Sequence, residues 1–382
     1  MKLRELPAVF MRGGTSKALV FKIDDLPADR TDWDAIFLAA TGSPDPYGRQ
    51  LDGMGGGLSS LSKVCVIGPP TRPDADVDYT FAQVSIPTES VDYAGNCGNM
   101  VSAIGPAAID LGLVPCPPNG EACLRIHNTN TDKIIVGRFP VEDGVPAVDG
   151  DLAIDGVAGT GAPVRLDFLE PGGSKTGVLL PTGAPVDVLP LEDGRTVRAS
   201  LVDAANPCVF VAATDLGKTS TEAPDALADD VDFMATMDQI RCAGSVKMGL
   251  APDLAAARKL GSIPKVAMVA PPTAVTTLSG VPIAAEQMAL LVRMISMEQP
   301  HRALPITGAI CLAIATRIPG SIPQTLAATD DGPLTLCHPS GSLLVDSAVH
   351  QRDRTFLAES GTVYRTARKL FAGHVFFRDR RD

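Results

Sequence analysis

One pattern occurs twice in this chain, and the duplication limits its folds more than any other feature. Ser62-Lys63-Val64-Cys65-Val66-Ile67-Gly68-Pro69-Pro70-Thr71 returns as Pro264-Lys265-Val266-Ala267-Met268-Val269-Ala270-Pro271-Pro272-Thr273. In each copy a lysine opens a short apolar strand, and a Pro-Pro pair ends it because proline has no N–H for a sheet ladder. Upstream, Phe10–Phe21 reads as strand, polar turn and strand, and Leu201–Val211 repeats that pattern around Asn206-Pro207. Downstream, Asn96-Cys97-Gly98-Asn99 and Ile306-Thr307-Gly308-Ala309 each precede an apolar helix. The three matches keep their order in both halves. Two copies separated by nearly half the chain predict a duplicated domain rather than a solenoid.

A chain of 382 residues is long enough for two such cores. The net charge of −11 leaves no electrostatic footprint for nucleic acid or an acidic membrane. An anionic substrate would therefore need local positive groups, from helix ends and a few Lys or Arg. The longest apolar run, Ala309–Ala315, is too short to span a membrane and reads as a core helix. Met1-Lys2-Leu3-Arg4-Glu5-Leu6-Pro7 lacks the apolar stretch of a secretory signal, which points to the cytoplasm. The eight cysteines are scattered, and Cys65, Cys208, Cys311 and Cys337 sit in apolar segments, as small hydrophobes do in a reducing compartment. Cys116 and Cys123 have no second pair, and the five histidines show no paired spacing, so no metal site is expected.

Strand composition appears at Ala8–Met11, Ala18–Ile23, Lys63–Ile67, Tyr79–Ile86, Lys133–Phe139 and Val164–Phe168. Helices are expected at Trp33–Thr41, Met100–Leu111, Asp230–Cys242, Pro252–Lys259 and Ala309–Thr316. The proline-rich stretch from Leu180 to Gly194 is the candidate crossing between halves. The expected class is α+β, with an N-terminal domain over 1–185 and its pseudo-repeat over 186–382. Each domain is a mixed sheet around a central helix, and the two helix N-termini are expected to face one cleft. The apolar tail Phe371–Phe377 is expected to dock back on the N-terminal half.

Gly95-Asn96-Cys97-Gly98-Asn99-Met100 carries the chemistry. Its glycines let the backbone turn and expose N–H groups, and the first amides of a helix have no internal partners and favour an anion. The same helix end favours a thiolate, so Cys97 is expected to exchange protons near neutral pH. Gly53-Met54-Gly55-Gly56-Gly57 lacks the strand before it and the helix after it that a dinucleotide loop requires.

Arg12-Gly13-Gly14-Thr15-Ser16-Lys17, Gly42-Ser43-Pro44-Asp45, Gln50-Leu51-Asp52-Gly53-Met54-Gly55-Gly56, Ser62-Lys63 and Gly95-Asn96-Cys97-Gly98-Asn99 together resemble the PrpF family. That family includes 2-methylaconitate cis-trans isomerase, 3-methylitaconate isomerase and 4-oxalomesaconate tautomerase. The likeness runs through His301-Arg302 and Thr307-Gly308-Ala309, and so covers most of the chain. It implies a diaminopimelate epimerase-like fold and chemistry that needs no cofactor. It places the catalytic pair on Lys63 and Cys97, with Lys63 moving a proton next to an unsaturated acid's carboxylate. Such a carbon acid is very weak, and a lysine serves as its base only when burial or a neighbouring cation favours the free amine. Lys265 holds the matching place in the other half, and the family motif selects Lys63.

Thr307 stands where a two-thiol racemase would carry its second cysteine, and Cys311 lies a helical turn deeper. A one-sided proton shift is therefore expected. The expected substrate contacts are Ser16, Asn96, Gly98, Asn99 and Met100 in the first half, and Asn206, Arg302, Thr307, Gly308 and Ala309 in the second. The resemblance implies a small unsaturated di- or tricarboxylate. Asp76–Tyr79, Gln83–Ile86 and Ser59–Lys63 favour the 2-methylaconitate or aconitate type, with methylitaconate and oxalomesaconate as alternatives. A non-catalytic carboxylate-binding protein is the competing class. The only protein partner expected is a second copy, in a homodimer.

Overall fold

The structure, a computed structural model, describes residues 3–93, 96–261, 263–296, 299–328, 332–353 and 355–378. Gly95 of the Gly/Asn motif lies outside the described residues, as do Met1 and Lys2. The fold is α+β and divides into two compact units, one made of 1–167 and 364–382 and the other of 168–363.

In the first unit, β1 (Leu3–Gly13) and β2 (Ser16–Lys22) form a hairpin that closes with Gly13 opposite Ser16. After α1 (Trp33–Thr41), β3 (Lys63–Gly68) lies parallel to β2, with Lys63 beside Ala18. β4 (Val77–Val84) is antiparallel to β3 and places Gln83 opposite Lys63. After α2 (Gly98–Asp110), β5 (Gly120–Asn128) runs parallel to β4, and β6 (Lys133–Glu142) returns antiparallel to β5.

Strand alternation sorts the two faces of this sheet. Val64, Val66, Ala82 and Val84 pack with Trp33, Ile36 and Phe37 of α1. Lys63, Cys65 and Ile67 of β3, with Tyr79, Phe81 and Gln83 of β4, project from the opposite face. Helix α2 is buried continuously from Met100 to Ala108, which an apolar helix requires when it lies inside a domain. Gly105 keeps it close to β6, since a Cβ there would lie 2.5 Å from the Phe139 ring.

The second unit repeats the sequence of pairings. β7 (Thr196–Ala204) and β8 (Asn206–Ala212) form a hairpin. After α3 (Val231–Lys247), β9 (Lys265–Ala270) runs parallel to β8 with Lys265 beside Cys208. β10 (Leu290–Ser296) is antiparallel to β9. After α4 (Ile306–Ala315), β11 (Leu334–His338) is parallel to β10 and β12 (Gly341–Arg352) antiparallel to β11. Phe233, Met237 and Ile240 of α3 pack with Leu201, Val209 and Val266, as α1 packs in the first unit. The central helix α4 is buried at every position except Thr307.

Several boundaries differ from the sequence expectation. The units divide after Asp167, not at 185, because the turn that follows is captured by buried Asp203. That carboxylate accepts from Ser174 Oγ at 2.5 Å, Lys175 N at 2.9 Å, and Thr176 N and Oγ1 at 2.7 and 2.8 Å. The C-terminal strand Ala367–Arg378 pairs antiparallel with β1 along its length, from Leu3 opposite Arg378 to Gly13 opposite Ala367. Helix α2 begins at Gly98 rather than Met100, and α4 at Ile306 rather than Ala309. Asp253 caps the helix Leu254–Lys259 by accepting from Ala256 N, so that helix starts two residues later than Pro252.

Asp203→Ala should strand the donors of the Gly173–Gly177 turn inside the second unit. Charged hydrogen bonds contribute roughly 1.5–3 kcal/mol each and the turn can rehydrate in part, so a loss of about 3 kcal/mol is expected in urea unfolding. An unchanged midpoint would show that the carboxylate does not hold this turn.

Candidate active site

Lys63 is only 9% exposed. Its Nζ donates to Gln83 Oε1 and lies 5.1 Å from the centroid of the Phe81 ring. Among the described residues no carboxylate pairs with it. Gln83 is held the other way round, its Nε2 donating to Ser59 O at 3.1 Å and Ser62 O at 3.0 Å. Those two bonds turn the amide so that its oxygen is presented to Lys63. Cys65, one step along the same face, is fully buried. Burial pushes its thiol up, a nearby Cys97 sulfur adds to the shift, and Lys63 opposes it. Lys63 and Cys97 thus both act on one buried sulfur. The hydroxyl of Tyr79 on the next strand is buried with no hydrogen-bond partner in good geometry, and its ionisation is pushed up by burial and then by Cys65 and Cys97.

The segment around Lys63 is fixed by the glycine-rich motifs before it. Asp45 accepts from the amides of Tyr47, Arg49 and Gln50 at 2.9, 2.9 and 2.6 Å. Gln50, with φ at +54°, donates to Ser43 Oγ and accepts from Gly57 N and Ser62 Oγ. Asp76 and Asp78, which the sequence linked to substrate choice, are structural. Asp76 accepts from Arg125 N, and Asp78 accepts from Thr71 and bonds His127.

Cys97 is the N-cap of α2, its side chain makes no capping bond, and the residue is partly exposed. The first intrahelical bond is Val101 N–H to Cys97 C=O at 3.1 Å. The amides of Gly98, Asn99 and Met100 come before it and have no helix carbonyl to donate to. The β1–β2 turn is pressed against them. A Cβ on Gly13 would lie 2.6 Å from Asn99 O, and one on Gly14, at φ +51°, would lie 2.2 Å from Asn99 Oδ1. Asn99 Nδ2 donates to Thr15 Oγ1 at 3.2 Å. Among the described residues Asn96 Oδ1 has no hydrogen-bond partner, and Ser16 is buried where the hairpin closes. Ser16, Asn96, Cys97, Gly98, Asn99 and Met100 therefore belong to the turn and helix end of one unit. A recess of about 1050 Å³ on this unit, lined by Tyr47, Leu51, Phe376 and Arg378 among others, contains none of the expected site residues.

In the second unit, Asn206 opens β8 and Thr307 lies in the first turn of α4. The Ala309 N–H donates to Pro305 C=O at 2.8 Å, which leaves Gly308 as the last amide of that turn without a helix carbonyl. The exposed Arg302 guanidinium pairs with Asp225 at 3.1 Å on the surface. Lys265 and His301 are two basic side chains that burial affects here. Burial lowers both, and the Lys265 charge lowers His301 further. Cys311 is fully buried, its Sγ directed at Val202 O at 3.4 Å. Among the described residues no group of three or more His, Cys, Asp or Glu is placed to hold a metal ion.

Sequence patterning linked Gln83 to substrate type but gave it no part beside Lys63, although a polar residue in register with Tyr79 and Phe81 on an otherwise apolar face was the available signal. Arg365 had no signal in the sequence. Its Nε donates to Asn99 Oδ1 at 3.1 Å across 266 positions of chain.

The PrpF protein family model matches residues 3–378. A 3-methylitaconate isomerase of Eubacterium barkeri is 42% identical over 376 residues, covering 97% of each chain. A 2-methyl-aconitate isomerase of Cupriavidus necator is 39% identical, covering 97% of this chain and 96% of that one. A crystal structure of methylitaconate-delta-isomerase superposes with a TM-score of 0.89 at 41% identity, covering 99% of this chain and 96% of that chain. An α+β fold of two repeated units, with likeness of this extent to named isomerases, defines an isomerase. The chain belongs to the PrpF family.

Gln83→Leu removes the acceptor that orients Lys63 and leaves the strand apolar. A misplaced catalytic group costs up to ~10²-fold, so turnover should fall by roughly 10–100-fold with a small change in the Michaelis constant. Gln83→Glu replaces the amide oxygen with a carboxylate that holds Lys63 as an ion pair, so turnover should fall at least as far as in Gln83→Leu. Turnover equal to that of the unsubstituted enzyme in both variants would remove Gln83 from the site.

Proposed function

We propose that this isomerase shifts a proton next to the double bond of a small unsaturated di- or tricarboxylate, with Lys63 and Cys97 as the groups that move it. The observation that carries the reading is Lys63 itself, buried against Phe81 and Gln83 with no carboxylate partner among the described residues. In the same unit, the amides of Gly98, Asn99 and Met100 are open to an anion. A substrate carboxylate held there gains hydrogen bonds as charge develops on it during deprotonation. Lys63 removes the proton from carbon, the electrons of that C–H bond enter the conjugated carboxylate, and the double bond moves. Return of a proton from the Cys97 thiol at the other end of the allylic system completes the shift. Return to the first carbon after rotation gives the cis-trans product instead. Protons in and out balance, so the step needs no redox or group-carrying cofactor.

The 2-methylaconitate or aconitate type remains the first substrate reading. The 42% identity to a 3-methylitaconate isomerase supports methylitaconate as the second, and oxalomesaconate tautomerisation would use the same step. The reading places the enzyme in the cytoplasm, as a single chain or a homodimer. Proton NMR in heavy water with aconitate, 2-methylaconitate, 3-methylitaconate and oxalomesaconate identifies the substrate by deuterium uptake. No exchange with any of the four would refute the reading.

Cys97→Ser keeps the shape but replaces the thiol with a far weaker acid, so turnover should fall at least ~10²-fold, as for one positioned acid–base group. Lys63→Met should abolish exchange in a folded protein, whereas Lys265→Met should be much milder. Equal loss from the two lysine variants would overturn the assignment of the base to the first unit.

A further inference from the structure

Among the described residues, Arg365 is a buried cation without a counter-charge. It is 9% exposed, and its recorded bonds go to neutral oxygens, from Nε to Asn99 Oδ1 at 3.1 Å and from Nη1 to Tyr364 O at 3.1 Å. Among the described residues no carboxylate pairs with it, and its Nη2 has no bonded partner. Burying a guanidinium without an anion is costly, and proteins tolerate it where an anion arrives from outside. Burial alone pulls this group down to about 10, so it stays charged at neutral pH.

The surroundings specify what the anion meets. Asn99 lies in the first turn of α2, where the amides of Gly98, Asn99 and Met100 lack helix carbonyls. Gly14 lets the β1–β2 turn close onto this side chain, since a Cβ there would lie 3.1 Å from Arg365 Cδ. Arg12 adds positive charge from the same turn, its Nη1 held at 3.0 Å by Gly14 O and by Thr366 O and Oγ1. A planar guanidinium matches a carboxylate with two parallel bonds.

We infer that Arg365 binds one carboxylate of the substrate at the N-terminus of α2 and so selects polycarboxylates. This deepens the proposed function and rests on it for the identity of the ligand. The anchor is separate from the proton-moving pair: it holds the acid while Lys63 and Cys97 act on its carbon chain.

Calorimetric titration with tricarballylate, a saturated tricarboxylate that cannot isomerise, tests the anchor without turnover. Arg365→Gln should weaken tricarballylate binding at least ~10-fold, because a desolvated charge pair is lost, and should raise the Michaelis constant more than it lowers turnover. If that variant does not fold, Arg365→Lys is measured instead. Its single ammonium in place of the fork should weaken binding at least ~3-fold. Affinity equal to that of the unsubstituted protein, in whichever variant folds, would reduce Arg365 to a brace for Asn99 and overturn the inference. Deuterium exchange by the unsubstituted enzyme is measured in parallel. Exchange with unchanged affinity in the variant sinks the anchor alone, whereas no exchange sinks the proposed function while lost affinity still supports the anchor.

Discussion

A helix that is apolar on every side must be enclosed, and its first turn holds amide N–H groups that the helix itself cannot satisfy. Helix α2 is such a helix, buried from Met100 to Ala108. The rest of the first unit is arranged around that end. Gly13 and Gly14 allow the β1–β2 turn to approach it closely. Cys97 caps it without spending its thiol on the cap. Arg365 reaches it from the far end of the sequence. The helix end is electropositive by construction, and this supplies local attraction for an anion in a chain of net charge −11.

Lys63 depends on a different kind of order. Its strand is preceded by a loop with little regular structure, which polar side chains hold in place of a ladder. Asp45 gathers three amides, and Gln50 ties Ser43, Gly57 and Ser62 together. Ser62 immediately precedes Lys63, and its carbonyl helps to turn Gln83. Glycine-rich motifs that look like ligand loops in the sequence act here as a buried hydrogen-bond frame behind the lysine. Because each member is satisfied, the frame is rigid, and a rigid frame sets the direction of the side chain that follows it.

Much of this was legible in the sequence, for definite reasons. The two lysine strands fall at the same register beside β2 and β8 because a repeated sequence folds to a repeated pairing order. Cys97 was visible because glycine and asparagine around a cysteine before an apolar run describe a helix start. The parts that were not legible depend on contacts between distant residues. The boundary near 167 follows from Asp203 capturing the Gly173–Gly177 turn, which the prolines between Leu180 and Gly194 do not reveal. Ala309 looked like a donor because the helix was expected to start there, and Pro305 takes its amide once the helix starts earlier. Arg302 sits next to the Thr307 turn in sequence, yet its exposed side chain pairs with Asp225. Arg365 has no local motif at all.

The C-terminal strand on β1 also sets the order in which the molecule can be assembled during synthesis. The second unit is one continuous stretch, from Phe168 to Val363, and it can close as soon as that stretch has left the ribosome. The first unit begins earlier yet finishes later, because β1 keeps an open edge until Ala367–Arg378 emerges to pair with it. Arg365 emerges just ahead of that strand. The nascent chain thus carries Lys63 and Cys97 for most of its synthesis before the cation beside α2 arrives, and a chain released after Val363 would hold all of the second unit and a first unit with β1 still unpaired on one edge.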